Sequence, residues 1–220
     1  MTPTPVSNSP GSASTFQLIL QHRVVAILRG CDPAHILPTA EALYKGGIRL
    51  LEITLNSRDA LNAIRETNTR LGDKLLIGAG TVLSADEAEA AIAAGARFIL
   101  SPSLDLPTIH RTLELGALSI PGAFTATEIL TAWRNGAGMV KVFPASVGPA
   151  YFRDLRGPLP QIPLMPTGGV NLENIRQFQK AGAAAFGIGS ALVTPTDDLT
   201  PNYLQQLTTT AAAYAEAIRQ

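Results

Sequence analysis

One phrase recurs five times in this chain: a helical stretch ends in glycine beside a small residue, and a short apolar run follows within a few positions. The copies are KGGIRLLEIT from Lys45, AAGARFILSP from Ala93, ELGALSIPGA from Glu114, RNGAGMVKVF from Arg134 and KAGAAAFGIG from Lys180. Glycine just past a helix end closes the last turn in a left-handed conformation that a Cβ would obstruct, so each copy reads as a helix-to-strand joint. Gly95, Gly116 and Gly136 lie about 20 residues apart, and the gaps from Gly46 to Gly95 and from Gly136 to Gly182 are each about double that. Each long gap holds two units.

The runs that follow, such as VVAIL, LLEIT, LLIGA and MVKVF, are short and mostly apolar throughout, which suits parallel strands covered on both faces. Strands are expected near 24–28, 49–54, 75–79, 97–101, 118–121, 138–143, 163–167 and 184–188. Helices fall between them, for example over 33–45 after Asp32, 84–94 from Ser84 and 171–181 from Asn171, where capping side chains stand at the start. Eight strand–helix units favour a closed (β/α)8 TIM barrel over an open doubly wound sheet, and no GxGxxG follows the first strand. The expected organisation is a disordered tail over 1–13, rich in Pro, Ser and Thr, then one domain over 14–220 that opens with an N-terminal helix.

Composition narrows the partners. Seventeen basic and 17 acidic residues cancel, leaving no broad field to attract nucleic acid or an anionic membrane. No run approaches the roughly 20 apolar residues needed to span a bilayer, and the start lacks the pattern of a secretory signal, so a cytoplasmic protein is expected. Cys31 is the single cysteine, and His22, His35 and His110 form no metal-binding spacing. A small-molecule substrate, with no metal, is the expectation.

In a barrel enzyme the chemistry sits at the C-terminal ends of the strands, and three charged residues there interrupt apolar runs: Arg29 after VVAIL, Glu52 in LLEITL and Lys141 in MVKVFP. Glu52 and Lys141 either form a structural ion pair, or face outward between helices, or point into the barrel mouth. In the mouth, a buried lysine near a second cation such as Arg29 loses its proton readily and becomes a nucleophilic amine, while a nearby carboxyl group exchanges protons. Gly168–Gly169 and Gly189–Ser190 follow the seventh and eighth strands, where backbone amides reach a phosphate without obstruction. The Gly78–Ala79–Gly80–Thr81 segment is either a tight turn or a site where Thr81 donates to a carboxylate.

The segments LLEITLNS, IGAGTVL, SPS, PGAFTATE, VKVFPAS and PTGGV, in this order over about residues 16–195, resemble the class I aldolases acting on 2-keto-3-deoxy-6-phosphogluconate and its galactonate epimer. The resemblance implies a barrel that assembles as a homotrimer, with neither metal nor organic cofactor. It implies Lys141 as the Schiff-base lysine and Glu52 as general acid and base. Arg29, Thr81, Pro102 and Phe143 line the pyruvate end in this reading, Thr54 and Thr167 contact substrate, and Gly168, Gly169, Gly189 and Ser190 bind phosphate. Asn56, within EITLNS, and AILRG around Arg29 resemble the galactonate branch, whereas Thr54 and Thr167 resemble the gluconate branch. The epimer preference therefore stays open, as does use of 4-hydroxy-2-oxoglutarate. Two rival readings are a sugar-phosphate isomerase or epimerase with Glu52 as base, and a phosphate-ligand binding protein without chemistry.

Overall fold

The computed structural model describes residues 10–219. Its strands are β1 Val24–Leu28, β2 Leu50–Thr54, β3 Leu76–Gly80, β4 Phe98–Leu100, β5 Leu118–Ile120, β6 Gly122–Ala123, β7 Val140–Val142, β8 Leu164–Pro166 and β9 Phe186–Ile188. Helices alternate with them: α1 Pro10–His22, α2 Pro33–Lys45, α3 Ala60–Leu71, α4 Ala85–Ala93, α5 Leu106–Glu114, α6 Ala126–Arg134, α7 Pro149–Arg156, α8 Ile175–Lys180 and α9 Pro201–Ala217. All the strand pairings are parallel. The joints foreseen from glycine are present, with Gly47, Gly95, Gly116, Gly136 and Gly182 all at positive φ.

The sheet is divided where one uninterrupted barrel was expected. Six strands run in the order β5-β4-β3-β2-β1-β9 and three in the order β6-β7-β8. The fifth expected strand is split by Pro121, which has no amide hydrogen to continue a ladder, although its carbonyl accepts from Lys141 N at 2.9 Å. At the other junction Thr167, just beyond β8, makes a parallel bridge to Gly187 in β9. The architecture is thus a parallel α/β fold whose curled sheet surrounds an apolar interior.

Alternation along the strands sorts their side chains into two packings. Val25, Leu50, Phe98, Leu100, Leu118, Ile120, Met139, Met165 and Ala185 form an inner cluster, joined by Ile19 of α1. Their sequence neighbours Val24, Ala26, Leu51, Ile53, Ile77, Val140, Val142, Leu164 and Phe186 pack outward against the helices. A helix of 13 residues is marginal by itself, so α1 is held by burying Ile19 completely, a contribution of roughly 1.5–3 kcal/mol.

Two expected boundaries move. Helix α1 begins at Pro10, so residues 10–13 are helical rather than tail, with Ser12 buried; residues 1–9 of that expected tail lie outside the described residues. Helix α8 begins at Ile175 and not at Asn171, because Asn171 spends its side chain on a turn. Its Oδ1 accepts from Glu173 N at 2.9 Å and Asn174 N at 3.2 Å, while Asn174 Oδ1 accepts from Asn171 N at 2.9 Å.

Candidate active site

Because β2 buries Leu50 in the inner cluster, Glu52 two residues on faces the same interior; the same relation to Met139 turns Lys141 inward from β7. Exposure is 0% for Glu52 and 2% for Lys141, so neither faces out between helices. Nor do they form a structural ion pair: both Glu52 carboxyl oxygens are buried without a hydrogen-bond partner. The ion pairs among the described residues, such as Arg58–Asp32 and Arg111 with Glu89 and Glu114, lie on the surface.

Burial acts on the two groups in opposite senses. It raises the Glu52 pKa above the ordinary carboxyl value, against the opposing pull of Lys141 and Arg29. It lowers the Lys141 pKa, with Arg29 adding to the fall and Glu52 opposing it. Both shifts run toward the neutral forms. Lys141 Nζ also lies 5.2 Å from the centre of the Phe143 ring.

A cavity of about 350 Å³ opens over Lys141. Of the residues expected at the site, Arg29, Lys141, Phe143, Thr167, Gly168, Gly169, Gly189 and Ser190 line it. Gly168 and Gly169 have φ of +82° and +84°, and a Cβ on Gly169 would press on the backbone of Ser146 at 3.0 Å. A Cβ on Gly189 would meet nothing within 4 Å, so its backbone borders open space. Thr167 Oγ1 is buried and unpartnered, and it fits because Gly187 beside it has no side chain.

The other expected residues do not line the cavity. Glu52 is fully buried. Thr54, expected to contact substrate, is fully buried with its hydroxyl 2.9 Å from Ser57 Oγ and 3.4 Å from Leu28 O. Pro102 packs its backbone against Gly122, where a Cβ would not fit. Thr81 is held at φ +57°, a strained conformation for a β-branched residue, and its hydroxyl accepts from Arg29 Nη2 at 3.1 Å. Arg29 Nη1 also donates to Asn56 Oδ1 at 3.4 Å.

Sequence reading missed Ile27, Val193 and Pro195 in the lining, and missed Gly80. Ile27 was accessible from the two-residue period that joins Val25 to Arg29. Gly80 ends β3 and does not belong to a tight turn; a Cβ there would fall inside the Glu52 carboxyl group. Gly80→Ala is therefore expected to displace Glu52, costing about 1–3 kcal/mol in stability and lowering kcat. Thermal melting together with steady-state rates checks this, and an unchanged kcat would show that Glu52 needs no such space.

A buried lysine whose pKa is lowered, beside a buried carboxyl group on parallel strands, defines the class: an α/β protein with an amine poised to attack a carbonyl. The family model for KDPG and KHG aldolase matches residues 17–209. The chain is 37% identical over 198 residues to 2-dehydro-3-deoxy-6-phosphogalactonate aldolase of Escherichia coli, covering 89% of this chain and 96% of that one. It is 39% identical over 166 residues to 2-dehydro-3-deoxy-phosphogluconate aldolase of Pseudomonas aeruginosa, covering 73% and 74%. It is also similar to a crystal structure of KDPG aldolase from Legionella pneumophila with pyruvate captured as a covalent carbinolamine intermediate, at TM-score 0.80 and 28% identity over 90% of this chain and 96% of that one. The chain belongs to the KDPG and KHG aldolase family.

Among the described residues no helix is long and apolar enough to cross a membrane, and no group of three or more His, Cys, Asp or Glu side chains is placed to hold a metal.

Proposed function

We propose that this chain reversibly cleaves a 2-keto-3-deoxy-6-phospho sugar acid to pyruvate and glyceraldehyde 3-phosphate. The observation that carries the reading is Lys141, buried at the floor of the cavity with an unpartnered Glu52 in electrostatic reach. Neutral Lys141 adds to C2 of the keto acid, and Glu52 supplies the proton with which the carbinolamine loses water to give an iminium. The Glu52 carboxylate then takes the proton of the C4 hydroxyl. The C3–C4 bond breaks, its electrons pass into the iminium to form an enamine, and glyceraldehyde 3-phosphate leaves. Protonation of the enamine at C3 and hydrolysis free pyruvate and the lysine.

Arg29 and Thr81 hold the carboxylate end of the substrate in this reading, with Pro102 and Phe143 beside it and Thr167 toward C4. Gly168, Gly169, Gly189 and Ser190 offer backbone and hydroxyl donors to the phosphate, at the place where barrel enzymes commonly bind one. The two sheets act as one eight-stranded barrel, supported by the Thr167–Gly187 bridge and by the continuity of β5 and β6 through Pro121, and the described residues 10–219 as one domain. A homotrimer is the assembly that the resemblance to this family supports, and a phosphorylated substrate favours the cytoplasm.

A coupled assay for pyruvate release, given each 6-phospho epimer and 4-hydroxy-2-oxoglutarate, tests the reaction directly; no pyruvate from any of them would refute it. The relatives named for the two epimers match comparably well, at 37% and 39% identity. Asn56 bears on the choice because its amide oxygen takes one of the Arg29 donors. Asn56→Arg places a second guanidinium there and is expected to change the ratio of kcat/KM on the two epimers by about tenfold, since polar recognition discriminates strongly. An unchanged ratio would remove Asn56 from specificity.

A further inference from the structure

Arg29 follows β1 on an exposed loop, yet both of the backbone groups that flank it are tied to the end of β2. On one side, Gly30 N donates to Ser57 Oγ at 2.8 Å. On the other, Thr54 Oγ1 donates to Leu28 O at 3.4 Å, and the two hydroxyls lie 2.9 Å apart. With Ser57 donating to Thr54, the bonds run in one direction: Gly30 amide to Ser57 hydroxyl, to Thr54 hydroxyl, to Leu28 carbonyl. Each hydroxyl both accepts and donates, so neither is left unsatisfied, and each bond polarises the next. The chain brackets Arg29 alone. Gly30 adopts φ +66°, a left-handed conformation that leaves its amide aimed at Ser57. Asn56, the neighbour of Ser57, holds the guanidinium end of the same arginine.

We infer that Ser57 is a positioning residue for the reaction, fixing through Thr54 and Gly30 the backbone from which Arg29 reaches over the cavity. This explains why Thr54 lies buried away from the cavity while belonging to the site: its hydroxyl serves the arginine and not the substrate. The inference rests on the proposed role of Arg29 at the carboxylate end of the keto acid. Its effect falls on affinity for that end, because Ser57 touches neither Lys141 nor Glu52.

The test measures borohydride trapping of pyruvate on the full chain as a function of pyruvate concentration. Ser57→Ala is expected to raise the half-saturating pyruvate concentration about fivefold, as for loss of one hydrogen bond, with the trapping rate at saturation within about twofold of the wild type. Ser57→Thr, which keeps the hydroxyl, restores the wild-type value. Thr54→Val breaks the same chain from its other end and reproduces the shift. In an Arg29→Ala background, Ser57→Ala adds less than about a twofold change, because the residue acts through the arginine. An unchanged half-saturation in folded Ser57→Ala overturns the inference, as does a shift in Thr54→Val alone or one that persists at full size without Arg29. Absence of any adduct in the wild type overturns the aldolase reading and this inference together, which separates the two failures.

Discussion

Lys141→Ala is expected to lose activity by about 10⁴-fold or more while the chain stays folded. The size follows from the chemistry: without an amine at the base of the cavity no iminium forms, and the C3–C4 electrons have no acceptor. Retention of the fold follows from the energetics, since an unpaired buried lysine is a cost that alanine removes, offset by a cavity where the stem stood. Lys141→Met, which keeps the volume, separates the two contributions. Steady-state rates with thermal melting check the prediction, and cleavage at the wild-type rate by either variant would make Lys141 a structural residue.

Glu52→Gln is expected to lower kcat by about 10²–10⁴-fold, the range for a general acid and base, with a smaller effect on KM because the group does not line the cavity. It also carries a signature in stability against pH. Burial raises the Glu52 pKa in the folded state, so its favourable contribution is complete below the ordinary value of 4.5 and is lost as pH rises through the raised folded value. Glutamine has no such titration. The wild type should therefore lose stability relative to Glu52→Gln as pH rises above 4.5, a difference that includes the response of Lys141, whose pKa the Glu52 charge holds up. Lys141 runs the other way: its lowered folded pKa gives a contribution complete above 10.5 and lost as pH falls through the lowered value. Parallel stability profiles for wild type and Glu52→Gln across the pH range would show that burial leaves the Glu52 pKa unraised.

Much of this arrangement was legible in the sequence because it follows from local rules. Glycine after each helix marked the joints, and apolar runs marked the strands within a residue or two. The period of two then turned Glu52 and Lys141 inward with Leu50 and Met139. What escaped depends on contacts between segments distant in sequence. Nothing in GAGT says that Gly80 makes room for a side chain from β2, or that Thr81 is strained toward Arg29. Thr54 reads as a polar residue at a strand end, facing substrate, until Ser57 and Leu28 are seen to claim its hydroxyl. Pro121 and Asn171 moved boundaries for a related reason: a missing amide hydrogen and a competing side-chain turn act on a ladder or a helix that the apolar pattern alone would continue.

The most direct test of the central claim is to incubate the protein with pyruvate and borohydride and to locate the reduced adduct by peptide mass spectrometry. A single adduct on Lys141 is expected. A folded protein that yields none, or carries it on another lysine, would contradict it.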